Sequence, residues 1–194
     1  MAEKQYISAQ QLFRDSFELG FRVLESGFTP NFIIGVWRGG TPVGIAVQEL
    51  LDHVGLKSDH TAIRTSLYTH MEQRSTQARV HGLGYVVDNM NHTDSLLIVD
   101  DVYDTGLSLQ SVLTHLEQRC RRNLPSEIRI ATAYFKPDHN KTDRNPDYYV
   151  HETDKWLVFP HEIDGLTSDE MATAKPDFAE FAQRLRDFEN RNSS

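Results

Sequence analysis

The sequence predicts an α/β protein built on an open, mostly parallel sheet flanked by helices, and three observations carry that expectation. Short, nearly unbroken apolar runs recur along the chain: FIIGVW (32–37), LLIVD (96–100) and EIRIATAYF (127–135). Such runs suit strands buried on both faces, as in parallel sheets. Helical patterns lie between them, PVGIAVQELLDHVG (42–55) and a segment from about Leu107 to Arg122. Strand–helix alternation is the signature of βαβ crossovers. Finally, the residues joining strand to helix are small or polar, RGGTP at 38–42 and DTGLS at 104–108.

Each remaining element has its own local reason. Ser8 with Gln11 three residues later is a capping-box pattern. Behind it Leu12, Phe13, Phe17, Leu19, Phe21 and Leu24 follow helical spacing, and Gly27 is a natural stop. Pro42 suits a first helical position and Gly55 an end. HTAIRTSLY (60–68) reads as a further strand, as do YYVHE and WLVFP (156–160). Residues 69–94 are polar and weakly patterned, which predicts a long mobile loop with a functional role. The tail over about 177–190 is an amphipathic helix. One domain over 1–194 is the simplest organisation, with a core at about 28–163 and the last segments forming a small hood lobe.

Bulk properties narrow the function. A net charge of −8 argues against nucleic acid, whose phosphates need a basic face. Cys120 is the one cysteine, so no intramolecular disulfide forms, which fits a reducing compartment. The first residues lack a signal-peptide core, and no stretch approaches the roughly 20 apolar residues of a membrane span. The expectation is a soluble cytoplasmic protein with no membrane partner.

The densest chemistry lies in LLIVDDVYDTGLSLQSV (96–112). Ligands of open parallel sheets bind beyond the carboxyl ends of the strands. Thr105, Gly106, Leu107 and Ser108 would open a helix there, where free N–H groups and the helix dipole attract an anion. That describes a phosphate cradle. Carboxylates beside it would repel a phosphate unless they serve sugar hydroxyls or hold Mg²⁺, which bridges acids to phosphates. Asp100 and Asp101 suit those roles.

This stretch resembles the phosphoribosyl pyrophosphate (PRPP) signature of the type I phosphoribosyltransferases: apolar strand, two acids, two residues, Asp-Thr-Gly-x-Ser/Thr. The resemblance implies that family's fold, Mg²⁺ dependence and a dimer or tetramer. It makes Asp100 and Asp101 the ribose and metal ligands, Asp104 to Ser108 the 5′-phosphate site, and Asp104 the general base. Three further pieces are similar to the branch acting on 6-oxopurines, bacterial xanthine–guanine and hypoxanthine enzymes among them. VWRGG (36–40) resembles the pyrophosphate loop, which assigns Arg38, Gly39 and Gly40 to pyrophosphate; the peptide bond before its basic residue is often cis. Lys136 stands where the family's lysine donates to the 6-oxo group, and a donor-only ammonium disfavours the 6-amino group of adenine. In WLVFPHE (156–162) the family places a stacking aromatic, a residue whose backbone reads the base, and an acid. Those places are filled by Trp156, Leu157 and Glu162, the last also a candidate metal ligand. The chain departs from the pattern at Trp37, at Leu107, at Ser66-Leu67-Tyr68 in place of Ser-Tyr, and at Glu162 in place of aspartate. The alternatives are another acceptor, pyrimidine or adenine, or a non-catalytic PRPP-binding regulator.

Overall fold

The computed structural model describes residues 3–67, 78–175 and 178–192. In chain order the elements are β1 (Lys4–Tyr6), α1 (Ala9–Glu25), β2 (Phe32–Trp37), α2 (Gly40–His53), β3 (Asp59–Leu67), β4 (Ala78–His81), α3 (Gly84–Asn89), β5 (Ser95–Tyr103) and α4 (Leu107–Cys120). They continue with β6 (Glu127–Phe135), β7 (Tyr148–Glu152), β8 (Trp156–Val158), α5 (Ser168–Ala174) and α6 (Ala179–Asn192). The chain divides into two compact units, Phe13–Asp154 and a smaller one made of Met1–Leu12 with Lys155–Ser194.

The larger unit holds a six-stranded sheet in the order β4-β3-β2-β5-β6-β7. Every neighbouring pair is parallel except β3 with β4. Side chains alternate across the strands, so Ile34 and Ile98 join a core with Leu109, Val112 and Leu116 of α4 and with Val86 of α3. On α2, Gly44 lies against Gly35 of β2 and Val99 of β5, a closeness that small residues allow. The alternation thus gives the sheet an apolar filling on each face, as the continuous apolar runs require.

Chain order and spatial order disagree at one place that matters. From β2 the crossover through α2 leads outward to β3, whereas from β5 the crossover through α4 leads the opposite way to β6. The two strands are direct neighbours, with Phe32 opposite Leu96 and Gly35 opposite Val99. Helices leaving a sheet in opposite directions open a crevice at the carboxyl ends of the strands they leave. The loops after β2 and β5 therefore flank the sheet's switch point.

The structure corrects several boundaries. The strand read as 96–100 continues to Tyr103, because β6 runs alongside and Val102 and Tyr103 pair with Tyr134 and Phe135. Asp101 thus joins Asp100 in the strand rather than lying in the loop. The long loop expected over 69–94 is ordered in its second part, where β4 pairs antiparallel with β3 and α3 follows. Residues 68–77, which carry the start of that stretch and Tyr68, lie outside the described residues.

The smaller unit contains a two-stranded parallel sheet, Lys4 opposite Trp156 and Tyr6 opposite Val158. Its α5 was not foreseen, although Thr167 and Glu170 form a reciprocal capping box at its start. Lys4 pairs with Glu170 at 2.6 Å. The final helix, α6, runs over 179–192 where about 177–190 was expected. Among the described residues no helix is long and apolar enough to cross a membrane.

Candidate active site

The loop after β2 meets the end of β5 through its smallest residues. Gly40 begins α2, and a Cβ there would fall 2.4 Å from the Val99 carbonyl oxygen and 2.7 Å from Asp100 Cα. A Cβ on Gly39 would fall 1.8 Å from Asp101 Oδ2. Neither glycine has a positive φ; each is needed because the loop after β2 lies directly on the two acids at the end of β5. The preceding Trp37–Arg38 peptide bond is cis, at the position the family resemblance indicates.

The acids differ in setting. Asp101 is 8% exposed. Asp100 accepts the Asp101 N–H at 3.0 Å and a second hydrogen bond from the Gly40 amide. Burial, followed by the neighbouring Asp101 charge, pushes the Asp100 carboxyl well above the usual carboxylate range. Two adjacent acids held this way form a site that a cation would relieve. Among the described residues no group of three or more His, Cys, Asp or Glu side chains is gathered to hold a metal. The pair nevertheless fits Mg²⁺, which is commonly bound by one or two carboxylates completed by substrate phosphates and water.

The cradle follows within one turn. Gly106 adopts φ 74°, and a Cβ there would also collide with the Tyr103 ring at 2.6 Å. Two independent demands therefore select glycine. As the N-cap of α4 it brings no side chain to compete with an anion for the first-turn N–H groups. Leu107 and Ser108 open the helix, half-buried, with Thr105 just before them. Tyr103 is anchored from behind: its hydroxyl donates to the Arg144 carbonyl at 2.8 Å, and its ring meets Phe135 edge-on. A hollow of about 210 Å³ is lined by residues 100–106 with Ser108 and Leu109.

Lys136 follows β6, and its N–H donates to the Tyr103 carbonyl at 2.9 Å, extending the pairing of β5 and β6 by one bond. Its buried ammonium donates to Asp104 Oδ2 at 3.0 Å. Asp104 Oδ1 stands 2.9 Å from His139 Nδ1. Burial alone would raise the Asp104 carboxyl, but the hydrogen bonds from Lys136 and His139, with their charges, hold it below the usual range. Asp104 is therefore ionised at neutral pH, the form that can take a proton.

The expected site residues thus fall into two groups. Arg38, Gly39, Gly40, Asp100, Asp101, Asp104, Thr105, Gly106, Leu107, Ser108 and Lys136 all belong to the larger unit. Trp156, Leu157 and Glu162 belong to the smaller one. There Trp156 is 61% exposed and Leu157 is buried. The Glu162 carboxylate accepts the Phe159 N–H at 3.1 Å, which closes the turn after β8. A larger hollow of about 670 Å³ in this unit is walled by apolar side chains such as Phe181 and Phe188 and holds none of these residues.

Residues 4–165 match the family profile described as phosphoribosyl transferase domain. The chain belongs to the phosphoribosyltransferase family. Among its relatives in that family is the xanthine-guanine phosphoribosyltransferase of Desulfotalea psychrophila, 29% identical over 161 residues, 81% of this chain and 86% of the relative. The enzyme of the same name from Nitratidesulfovibrio vulgaris is 31% identical over 157 residues, 79% and 82% of the two chains. A solved purine phosphoribosyltransferase from Pyrococcus horikoshii superposes with a TM-score of 0.63 at 31% identity, covering 84% of this chain and 97% of its own.

One neighbour in the site was missed from sequence. His139 is one of nine histidines and carries no ligand-type spacing. Its only local signal is its place three residues after Lys136.

Proposed function

We propose that this phosphoribosyltransferase transfers the 5-phosphoribosyl group of PRPP to a 6-oxopurine, hypoxanthine, guanine or xanthine, in cytoplasmic purine salvage, giving the nucleoside monophosphate and pyrophosphate. The observation carrying the choice of acceptor is the Lys136–Asp104 pair beside the cradle. It sets a donor-only cation next to an ionised acceptor, matching a base that presents an oxo group and loses a ring N–H. The names of the curated relatives, xanthine-guanine and hypoxanthine-guanine phosphoribosyltransferase, support the same acceptor class. We further infer that the enzyme works as a dimer or tetramer.

In this reading the N–H groups at the start of α4, with the hydroxyls of Thr105 and Ser108, hold the 5′-phosphate. Asp100 and Asp101 accept from the ribose hydroxyls and would hold Mg²⁺. When bound, that ion would supply charge compensation for the departing pyrophosphate. Arg38 and the Gly39 amide bind the same leaving group, while the Gly40 amide, which donates to Asp100, ties that loop to the acids. Displacement at the anomeric carbon develops oxocarbenium character, as in glycoside hydrolysis, so ordered acceptor and leaving group matter more than a strong nucleophile. Asp104 takes the N7 proton as N9 bonds to the sugar. Lys136 donates to the 6-oxo group. The exposed indole of Trp156 offers a flat apolar face for stacking on a base.

The test is to incubate the protein with PRPP, Mg²⁺ and each of hypoxanthine, guanine, xanthine and adenine, and to separate the products. At least one oxopurine nucleotide is expected, with adenine used at least about 10³-fold less well, because its 6-amino group is itself a donor and cannot accept from the ammonium. Adenine as the best substrate would overturn the acceptor assignment while leaving the PRPP site standing.

A further inference from the structure

Asp104 has a donor on each carboxylate oxygen, and only one of the two, Lys136, has been given a task. The other is His139, whose Nδ1 lies 2.9 Å from Oδ1. An ionised carboxylate is acceptor-only, so the hydrogen in that contact resides on Nδ1.

The geometry explains how one short turn delivers both donors. Residues Pro137–His139 form a single 3₁₀ turn capped by Lys136, whose carbonyl accepts the His139 N–H at 3.2 Å. Side chains three apart on such a turn eclipse one another, so positions 136 and 139 face the same way. The terminal torsion of an aspartate is soft, and a single partner leaves the carboxylate plane free to swing. Donors on both oxygens fix that plane.

We propose that His139 is a positioning residue of the transfer reaction: its Nδ1–H holds Asp104 in the orientation in which Oδ2 meets Lys136 and the incoming base. The inference rests on the oxopurine-transfer reading above. Removing His139 leaves Asp104 and Lys136 in place but lets the carboxylate rotate. That slows proton acceptance without touching the phosphate cradle.

The test compares His139→Ala, which removes the donor, with His139→Asn, whose side-chain amide offers an N–H near the Nδ1 position. For Ala, kcat with the best oxopurine should fall roughly 10-fold, the scale of one hydrogen bond to a charged group, with KM for PRPP within about twofold of wild type. Asn should recover most of the loss. Independently of turnover, NMR titration of the Asp104 carboxyl should show its pKa rising in Ala and staying near wild type in Asn. Equal kcat in Ala and wild type, or a loss that Asn does not restore, would overturn the proposal. So would an Asp104 titration that ignores the Ala substitution. A wild type unable to use any oxopurine would instead overturn the acceptor reading, and the NMR titration would still decide the contact.

Discussion

Two turns of this molecule carry closely placed charged residues and use them differently. At the end of β5, Asp100, Asp101 and Asp104 surround a hollow, and the loop covering the first two consists of glycines. In the smaller unit, the turn after β8 is closed from within. The buried Lys175 ammonium donates to the Phe159 carbonyl at 2.6 Å, to the Pro160 carbonyl at 3.3 Å and to the Glu162 carbonyl, while Glu162 accepts the Phe159 N–H. There the charges satisfy the backbone. At β5 the carboxyl of Asp100 is instead kept under electrostatic pressure by burial and by Asp101. A buried carboxyl crowded by a second acid points to a ligand, whereas an ammonium committed to three carbonyls points to the fold.

This contrast predicts that substitutions in the first turn cost activity and those in the second cost stability. The largest effect is expected for Gly39→Ala. Its backbone is right-handed helical, φ −67°, so the added methyl strains no torsion; it meets Asp101 Oδ2 head-on instead. Displacing either partner by about an ångström should lower kcat/KM at least about 10²-fold, with a comparatively small change in melting temperature. Near-normal activity would show that the loop does not need its present contact with the acids.

Lys175→Met inverts the pattern. It leaves carbonyls of a half-buried turn without their donor, each unsatisfied group costing about 1–3 kcal/mol. A total near 3 kcal/mol corresponds to a fall in Tm of roughly 6–12 °C for a chain of this size. Affinity for PRPP should hardly move. A melting temperature equal to wild type would remove the stabilising role assigned to Lys175.

The smallest expected effect sharpens the contrast, because its sign is unusual. The folded-state pKa of Asp100 lies above its unfolded value, so between the two the folded protein binds more protons. Stability from this group therefore declines as pH rises through that window and remains reduced at neutral pH. Asp100→Asn cannot ionise. At pH 7 without metal it should be more stable than wild type, and that advantage should vanish in acid. Calorimetry at two pH values decides it: a lower Tm for the variant at neutral pH would mean that Asp100 supports the fold.

How much of this was legible depended on whether the signal was local. The apolar runs of β2, β5 and β6, the Asp-Thr-Gly turn and Lys136 are contiguous, and each was placed from sequence. β1 is three residues long and gains its meaning from β8, about 150 positions away, so no periodicity reveals it. β4 likewise exists because β3 is beside it. The true end of β5 was set by its neighbour β6, which carried the pairing past the two aspartates. α5 is different: Thr167-Ser-Asp-Glu170 is a readable capping box that was overlooked. Lys175 and His139 look like ordinary surface residues in sequence, and only the turns they reach give them a role.

The central claim is that Lys136, beside Asp104, selects an oxo group on the acceptor. The most direct measurement is steady-state kinetics of wild type and Lys136→Met with hypoxanthine, guanine, xanthine and adenine, PRPP affinity being measured alongside. Methionine keeps the length of the stem and removes the donor. The account predicts that kcat/KM for the preferred oxopurine falls by roughly 10²-fold, the scale of a hydrogen bond from a charged group in a closed site, while PRPP binds nearly as before. An oxopurine kcat/KM unchanged by the substitution would contradict it.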